Sequence, residues 1–421
     1  MRNILTIVSL LTLALLPARA QKTLTLSSCR ASALEKVGID QLRDINQKDL
    51  EQNKKLIIRP FLPDVNAYAH GSYQSDVPNV QDLFDINLDI VPPSKWQYHA
   101  GVGVTQVLYQ GGRLGLKKSL NEVEHALEAN ELDRQEIILE SKVDEIYLSL
   151  LLAVKQEEIL STQAEALQRK LDEATEAYES GYLLKKDILS LQTKAVELES
   201  GTNAAKAREL SLRKALAALT GMDIKEDDIL EPPSEELLSE AVDDPAFGRL
   251  SLEEKKIELG RKMAVSAALP KLEAFGTFGY GQWPLNMLKH DPDMYGIVGV
   301  SLLVPISGWL DVGRNKRILD GKQQAIDIRR NNLLREQETA LSNLDGEILR
   351  YTSLAEGSRR SVEKYEGLAE EMKALSEKGE VPLTDYTDAL DRLSAAALEA
   401  EAYEIMKMKL QLQRKHYLST L

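Results

Sequence analysis

The sequence predicts a mainly α-helical fold with a small β part, in which one structural unit occurs twice along the chain. Two long proline-free stretches carry apolar residues at heptad spacing, which is typical of helical hairpins packed as in coiled coils. Four shorter stretches interleave small and apolar residues over about 9–11 residues, the length of a membrane-spanning β-strand. Matching sequence segments place one pair of strands and one hairpin in each half of the chain.

Residues 1–20 predict a secretory signal peptide. Arg2 gives a basic start, residues 4–16 are apolar, and A-R-A at 18–20 fits a signal peptidase site. An alternative is lipoprotein cleavage before Cys29, which follows the sequence L-S-S. Cys29 lies far behind the apolar stretch, however, so we expect cleavage after residue 20 and an exported chain.

The composition excludes several classes of protein. The formal net charge of −14 argues against nucleic-acid binding, because neutralising phosphates requires basic patches. One cysteine permits no internal disulfide, and after the signal peptide no apolar run reaches the ~18 residues of a membrane-spanning helix. We expect no metal site and no cofactor, because the histidines are scattered along the chain. They are His70, His99, His125, His290 and His416.

Two pairs of similar segments indicate a duplicated unit. L-P-D-V-N-A-Y at 62–68 resembles L-P-K-L-E-A-F at 269–275, and E-S-G at 179–181 resembles E-K-G at 377–379. Each repeat is expected to contain a helix, a strand pair and a helical hairpin. The predicted boundaries are 1–20 for the signal peptide, 21–220 for the first repeat (strand pair 65–109, hairpin 112–220), 221–244 for a linker, and 245–421 for the second repeat (strand pair 271–304, hairpin 308–418).

The heptad pattern supports the duplication independently. In the first copy, apolar residues alternate at steps of four and three across 139–178, with Glu157 as the single polar break. A shift of 198 positions gives a second series across 344–376 whose only polar members are serines. Because no proline interrupts 112–181, a continuous helix there would extend about 100 Å at ~1.5 Å per residue.

The four predicted strands cover 65–74, 96–109, 272–281 and 294–304. Exposed strand edges leave unpaired backbone groups in a membrane, and four strands cannot close a barrel, so a membrane-embedded chain must oligomerise. The alternative is a soluble four-stranded sheet that caps a coiled coil. Aromatic residues at the strand ends suit the two interfacial girdles of outer-membrane barrels. They are Tyr73, Trp96, Tyr280 and Trp283 at the loop ends, and Tyr109 and Trp309 at the helix ends.

The order of elements resembles the TolC-like outer-membrane efflux family over nearly the whole chain after the signal peptide. T-L-T-L at 23–26, L-Y-Q-G-G-R at 108–113 and P-I-S-G-W at 305–309 carry the resemblance. It implies a homotrimer whose twelve transmembrane β-strands form a barrel in the lipid of the outer membrane and whose twelve helices form an α-barrel across the periplasm. It also implies a passive exit duct of a tripartite efflux or type I secretion system, docked to a periplasmic adaptor (a membrane fusion protein) and an inner-membrane pump.

The family carries a glycine at each hairpin tip, followed six residues later by an aspartate. Gly181 with Asp187, and Gly379 with Asp385, match this spacing. In the second copy the family adds another aspartate three positions on, matched by Asp388. The resemblance implies that these aspartates form the pore constriction, and positions i and i+3 do share a helix face. The alternative is a set of solvated carboxylates stabilised by the helix dipole.

The hairpin tips are also candidate contacts for the adaptor, because exposed apolar surface needs a partner. At two positions that help to close the mouth in the family, the sequence instead carries Ser376 and Val381, so the closed-state latch must differ or be looser. The candidate contact residues are Gly181, Tyr182, Leu183 and Leu184 in the first copy, and Gly379, Val381, Pro382 and Leu383 in the second.

The sequence predicts no enzyme. G-G-R-L-G-L-K at 111–117 lacks the spacing of a phosphate-binding loop, and no pairing of a nucleophile with a base is recognisable. Two rival functions are a periplasmic coiled-coil adaptor or scaffold, and a periplasmic binding protein or hydrolase. Two equivalent hairpins disfavour the first rival, and the missing pocket chemistry disfavours the second.

Overall fold

The computed structural model describes residues 22–77, 92, 94–239, 245–282, 291–415 and 417. Long helices dominate, and the predicted fold class, mainly α with a small β part, is confirmed. The helices are α1 (Leu26–Val37), α2 (Ile39–Ile58), α3 (Arg113–Glu179), α4 (Lys185–Thr220), α5 (Glu235–Ser239), α6 (Pro245–Ala267), α7 (Gly308–Glu377) and α8 (Leu383–Lys415), with a 3-10 turn at Arg59–Phe61. The strands are β1 (Thr23–Leu24), β2 (Asp64–Tyr73), β3 (Trp96–Gln110), β4 (Ile229–Leu230), β5 (Lys271–Gly281) and β6 (Asp293–Leu303).

The longer strands β2, β3, β5 and β6 begin and end within one residue of the predicted strands. The order of helix, two strands and two long helices occurs in both halves of the chain, as α2-β2-β3-α3-α4 and α6-β5-β6-α7-α8. The region predicted as a linker contains β4 and α5, and its last residues, 240–244, lie outside the described residues, as does the predicted signal peptide. The repeat boundaries themselves stay a prediction.

The chain forms two compact units, each assembled from separate segments. The first unit combines residues 1–40, 133–244 and 333–421, and the second combines 41–132 and 245–332. No helix within the described ranges has both the length and the apolar character needed to cross a membrane.

The core of the first unit is anchored by the start of the described chain. β1 pairs in parallel with β4, and the hydroxyl of Tyr147 on α3 lies 2.7 Å from the carbonyl oxygens of both Leu24 and Glu231. This shared donor satisfies buried backbone groups next to the small sheet and ties the sheet to α3. The surrounding apolar core includes Leu26, Cys29, Ala33, Val143, Leu150, Leu216, Ile405 and Leu412.

The two heptad series, 139–178 and 344–376, line the interior of the first unit. All their members are buried or half-buried except Tyr178. Fully burying one such apolar side chain contributes about 1.5–3 kcal/mol to stability. The two heptad series therefore contribute substantially to the stability of the hairpins. A second core cluster joins α3 to α4 through Leu167, Ala174, Ile188, Leu191 and Leu198.

Cys29 lies within the core of the first unit with 0% of its surface exposed, and burial raises the pKa of its thiol. Cleavage before Cys29 would remove β1, which precedes it and pairs with β4. An acyl chain on the Cys29 sulfur would also need room that this core does not offer. Acylation of Cys29 does not fit this packing, and cleavage after residue 20 stays a prediction.

The second unit contains a four-stranded antiparallel sheet with the strand order β2-β3-β5-β6. In the same unit, α2 and α3 are joined by a polar cluster around His125. Both ring nitrogens of His125 are engaged, one with the side-chain oxygen of Asn46 and the other with the side-chain nitrogen of Asn53 at 3.1 Å. These contacts provide hydrogen-bond partners for the polar side chains that lie between the two helices.

A buried ion pair joins α1 to α3 in the first unit. Arg30 and Asp144 are each 5% exposed, and the guanidinium donates to the two carboxylate oxygens at 2.7 Å and 2.6 Å. Glu140 lies 3.6 Å from the same guanidinium, and burial raises the pKa of its carboxyl, with Arg30 acting in the opposite direction. The bidentate geometry compensates for the loss of hydration of both charges.

We expect Asp144→Ala to lower the free energy of unfolding by about 3 kcal/mol, because it leaves the Arg30 guanidinium buried without its main partner. The urea midpoint of the purified protein measures this loss. Glu158→Ala is the control, because the exposed Lys155–Glu158 pair at 2.9 Å should contribute less than about 1 kcal/mol. Equal midpoints for the two variants would contradict the prediction.

Candidate functional site

The two hairpin turns of the first unit share one backbone geometry. Gly181 and Gly379 have φ angles of 77° and 73°, in the left-handed region that glycine adopts without strain. Both helices end in a Schellman motif, in which the residue after the glycine bonds back to the last helical turn. The hydrogen bonds run from the Tyr182 N–H to the Ala177 carbonyl at 2.9 Å and from the Glu380 N–H to the Leu375 carbonyl at 3.0 Å.

The predicted contact residues at the tips differ in exposure. Tyr182 is 86% exposed and Leu184 is 61% exposed, and Pro382 is exposed as well. Leu183 and Leu383 are half-buried and pack against the second core cluster. The tips therefore expose Tyr182, Leu184 and Pro382, whereas Leu183 and Leu383 pack against the hairpins.

Asp187 and Asp385 occupy matching positions but have different local partners. The carboxylate of Asp187 accepts the backbone N–H of Leu184 at 3.2 Å, which caps the start of α4. The matching position in the second turn is Pro382, which has no N–H to donate. The Asp385 carboxylate therefore has no backbone donor at this position and is exposed.

Asp385 and Asp388 lie on one exposed face of α8, while Tyr386 and Ala389 between and beyond them are buried. Within the described part of the chain, neither carboxylate forms a hydrogen bond or an ion pair. Two uncompensated negative charges at i, i+3 spacing face outward from the hairpin. The surface can attract cations or a basic partner.

The same row of α8 continues to Asp391, which sequence reasoning missed. Its carboxylate accepts the side-chain amide of Gln163 at 2.9 Å and pairs with Lys194 at 2.7 Å. The hydrogen bond to Asp391 raises the pKa of the Lys194 ammonium. Asp391 is therefore neutralised between the two hairpins and serves packing, a role that the i+3 spacing alone could not reveal.

The positions that depart from the family have local roles in the second turn. The carbonyl of Ser376 accepts the N–H of Gly379 at 3.0 Å, and both Ser376 and Val381 are half-buried. Their side chains form no hydrogen bond or ion pair among the described residues.

The four-stranded sheet of the second unit has two chemically different faces, because directly paired residues of an antiparallel sheet share a face. One, called the apolar face, carries apolar or aromatic side chains and glycine, with Gln106 as a polar exception in the row of Ala274 and Val300. The other, called the polar face, carries mainly polar side chains and glycine. Members of the apolar face are Val65, Ala67, Ala69, Tyr73, Trp96, Tyr98, Ala100, Val102, Val104, Phe278, Tyr280, Met294, Val298 and Val300. The polar members of this face are Asn66, Tyr68, His70, Ser72, Gln97, His99, Thr105, Glu273, Thr277, Asp293, Tyr295 and Ser301. Val107, Phe275 and Ile297 are its apolar members.

Glycines on the polar face make room for a contact between the two outer strands. Tyr68, Gly101, Gly279 and Tyr295 form one paired row across the sheet. The two tyrosine hydroxyls meet at 2.8 Å above the glycines. A Cβ on Gly279 would lie 2.6 Å from the Tyr295 hydroxyl, so a side chain there would displace the ring.

The predicted aromatic girdle is partly described. Tyr73 and Trp96 stack with ring centroids 5.1 Å apart and, with Tyr280, lie at one end of the apolar face. At the opposite end, the indole N–H of Trp309 donates to the Ala268 carbonyl at 2.9 Å. Trp283 lies outside the described residues.

We expect Gly181→Ala and Gly379→Ala each to destabilise the hairpin tip by about 1–2 kcal/mol, because an L-residue at this left-handed φ is strained. Amide hydrogen exchange in the last turn of α3 or α7 should become correspondingly faster. Gly346→Ala is the control: Gly346 is helical and a Cβ there meets no atom within 4 Å, so this variant should not destabilise. Unchanged exchange at the tips would contradict the prediction.

Comparison with known proteins gives a family match and several structural matches. Residues 47–222 match the family model described as outer membrane efflux protein. No curated protein sequence is significantly similar to the chain. The fold is similar to VceC of Vibrio cholerae, with a TM-score of 0.71 and 13% identity over 93% of this chain and 95% of that one.

Two further channels have the same fold. MtrE of Neisseria gonorrhoeae, solved in an open state, has a TM-score of 0.68 and 17% identity over 93% of this chain and 88% of its own. CmeC of Campylobacter jejuni has a TM-score of 0.65 and 16% identity over 93% and 85%. The predicted outer-membrane location agrees with these matches. The predicted resemblance to the TolC-like outer-membrane efflux family is thus confirmed, by the family model over residues 47–222 and by the fold over almost the whole chain.

Proposed function

We propose that the chain is one subunit of a homotrimeric outer-membrane exit duct, a passive conduit of a tripartite efflux or type I secretion system. The observation that carries this proposal is the two-faced sheet of the second unit, whose apolar face is exposed and whose outer strands each have one partner among the described residues. The family match supports the same class of function.

The apolar face fits lipid and does not fit water. Val298, Val300 and Trp96 are 89%, 64% and 67% exposed, and their neighbours on the same face are apolar too. Soluble monomers rarely expose a contiguous apolar patch of this kind unless it contacts a membrane or a partner. A strand pattern of apolar side chains outward and polar side chains inward is the pattern of an outer-membrane barrel.

The edges of the sheet require further copies of the chain. In lipid, unpaired backbone groups along β2 and β6 would cost several kcal/mol each. Spanning barrels start at about eight strands, so one four-stranded sheet cannot close alone. Three copies would supply twelve strands, with the polar faces lining the pore.

The hairpin tips fit the role of a docking surface. Tyr182 and Leu184 are exposed apolar side chains on a turn whose backbone is fixed by Gly181. A periplasmic adaptor of the membrane-fusion type, connected to an inner-membrane pump, is the partner that such tips would contact in a tripartite system. Exposed aromatic anchors on a rigid turn are well suited to such contacts.

The exposed carboxylates of Asp385 and Asp388 fit an acidic constriction at the periplasmic mouth. Three copies would form two stacked rings, a cation-attracting arrangement in a pore. Asp187 contributes to the cap of α4, so we assign it a supporting position beside the rings. The removal of a backbone donor by Pro382 leaves Asp385 available for this role.

The alternative, a periplasmic adaptor or scaffold, would leave the apolar face without lipid. The two proposals differ in extraction behaviour: the exit duct stays in the membrane until detergent is added, whereas an adaptor or scaffold without a membrane anchor is released by salt. Release of the native protein by salt alone would overturn the proposed function.

We expect Val300→Arg to impair stable insertion into outer-membrane vesicles, because a cation on the lipid face costs up to about 4 kcal/mol. Ser301→Arg is the matched control, since the neighbouring residue lies on the polar face opposite Glu273. Protease protection and urea resistance of the membrane-inserted oligomer give the readout. Equal insertion of the two variants would contradict the assignment of the faces.

We expect conductance of the purified oligomer in a planar bilayer to fall when a trivalent cation is added on the periplasmic side. Asp385→Ala combined with Asp388→Ala should abolish this block, because the carboxylate rings that bind the cation are gone. Asp223→Ala combined with Glu226→Ala changes the charge equally at two exposed carboxylates of the linker region and should retain the block. A block that persists after the first pair of substitutions would remove Asp385 and Asp388 from the constriction.

A further inference from the structure

Two histidines that are far apart in sequence face each other on the polar face of the sheet. His70 on β2 is the direct pairing partner of His99 on β3. Their ring centroids are 5.3 Å apart with an interplanar angle of 35°. The register of β2 and β3 therefore holds the two imidazoles side by side on a fixed backbone.

The surroundings of His99 orient its ring. Tyr68 and Tyr295 contact it edge-on, with centroids 5.9 Å and 6.5 Å away, and their hydroxyls are hydrogen-bonded to each other. The residue paired with His99 on β5 is Gly281, which contributes no side chain beside the imidazole. The ring is thus contacted edge-on by Tyr68 from β2 and by Tyr295 from β6.

The row continues to an acidic residue. Gly281 pairs with Asp293 on β6, so the order across the polar face is His70, His99, Gly281, Asp293. With strands about 4.8 Å apart, Asp293 lies about two strand spacings from His99. At that distance its carboxylate is no direct ligand of an ion held by the histidines, but its negative charge favours a cation there.

The distance between the rings suits a shared metal ion. Zinc and similar ions bind imidazole nitrogen at about 2.0–2.1 Å, which brings the centres of two ligating rings on one ion to about 5 Å apart. Each imidazole needs only one nitrogen for the metal, while the other is free to hold a hydrogen bond. Imidazole selects Cu²⁺, Ni²⁺ and Zn²⁺ over hard cations such as Mg²⁺ and Ca²⁺.

We propose that His70 and His99 form a bidentate site for a divalent transition-metal ion, with water completing the coordination. The described residues contain no group of three or more His, Cys, Asp or Glu side chains placed to hold a metal, so the site rests on the two imidazoles alone. By the general order of affinities, Cu²⁺ binds most tightly of the three ions. The site lies on the proposed pore-facing surface and is independent of the acidic residues at the hairpin tips.

The test uses full-length protein purified in detergent without a histidine tag and loaded with one equivalent of Cu²⁺ per chain. Electron paramagnetic resonance should show hyperfine splitting from two imidazole nitrogens, which carboxylate binding does not give. His70→Gln and His99→Gln should each remove the two-nitrogen signal and weaken binding by at least about 10–100-fold, a change that loss of even an indirect ligand contact can cause.

His125→Gln is the matched control, because both ring nitrogens of His125 are already occupied by asparagines on α2. This variant should keep the two-nitrogen signal and the affinity for Cu²⁺. Circular dichroism and oligomer size establish that each variant is folded. A two-nitrogen signal that survives in the combined His70→Gln, His99→Gln variant would overturn the proposal, as would its absence in the wild-type protein.

The outcome is separable from the proposed function. His70→Gln and His99→Gln preserve the alternation of the sheet, so membrane extraction and planar-bilayer conductance without added metal should match the wild type. Loss of the copper signal with normal conductance supports the metal site. A protein that fails to insert but still shows two nitrogen ligands would overturn the exit duct and leave the metal site in place.

Discussion

The outer strands β2 and β6, each with one partner strand among the described residues, and the exposed apolar face between them are the constraint on which the proposed assembly depends. A sheet with this pattern has backbone donors and acceptors on both sides that need partners and an apolar surface that needs lipid. Both needs are met when copies of the chain join edge to edge inside a membrane. The proposed oligomer thus follows from the needs of the strands.

The two hairpin turns indicate how a duplicated unit can acquire two roles. Gly181 and Gly379 end their helices with the same Schellman geometry, so the backbone of the turn is common to both copies. In one copy the aspartate caps the next helix through the N–H of Leu184. In the other, Pro382 fixes the backbone and removes that donor, which frees the carboxylate of Asp385 for contacts outside its own chain.

Much of the fold could be predicted from sequence because its signals are local. Heptad spacing, the absence of proline and the matching glycines define the hairpins, and strand ends were predicted within one residue. Features that depend on long-range pairing could not be predicted. The faces of the Gly-rich strands emerge only when the register is known, Asp391 is neutralised by residues of another hairpin, and His70 meets His99 only through strand pairing.

The glycines that obscured the alternation have a physical reason in the register. Gly101 and Gly279 sit between Tyr68 and Tyr295 in one row, and a Cβ on Gly101 would lie 2.5 Å from the Phe278 carbonyl oxygen and 3.0 Å from the Tyr68 hydroxyl. The rings cover backbone that would otherwise lack side-chain packing, an arrangement that compensates for glycine in a strand. The hydroxyl contact at 2.8 Å links β2 to β6 across the two inner strands. Glycine has no side chain, so the alternation of polar and apolar residues is hard to recognise in sequence at the positions where the tyrosine rings lie close to the backbone. The packing that these glycines lack is supplied by the two tyrosine rings above them.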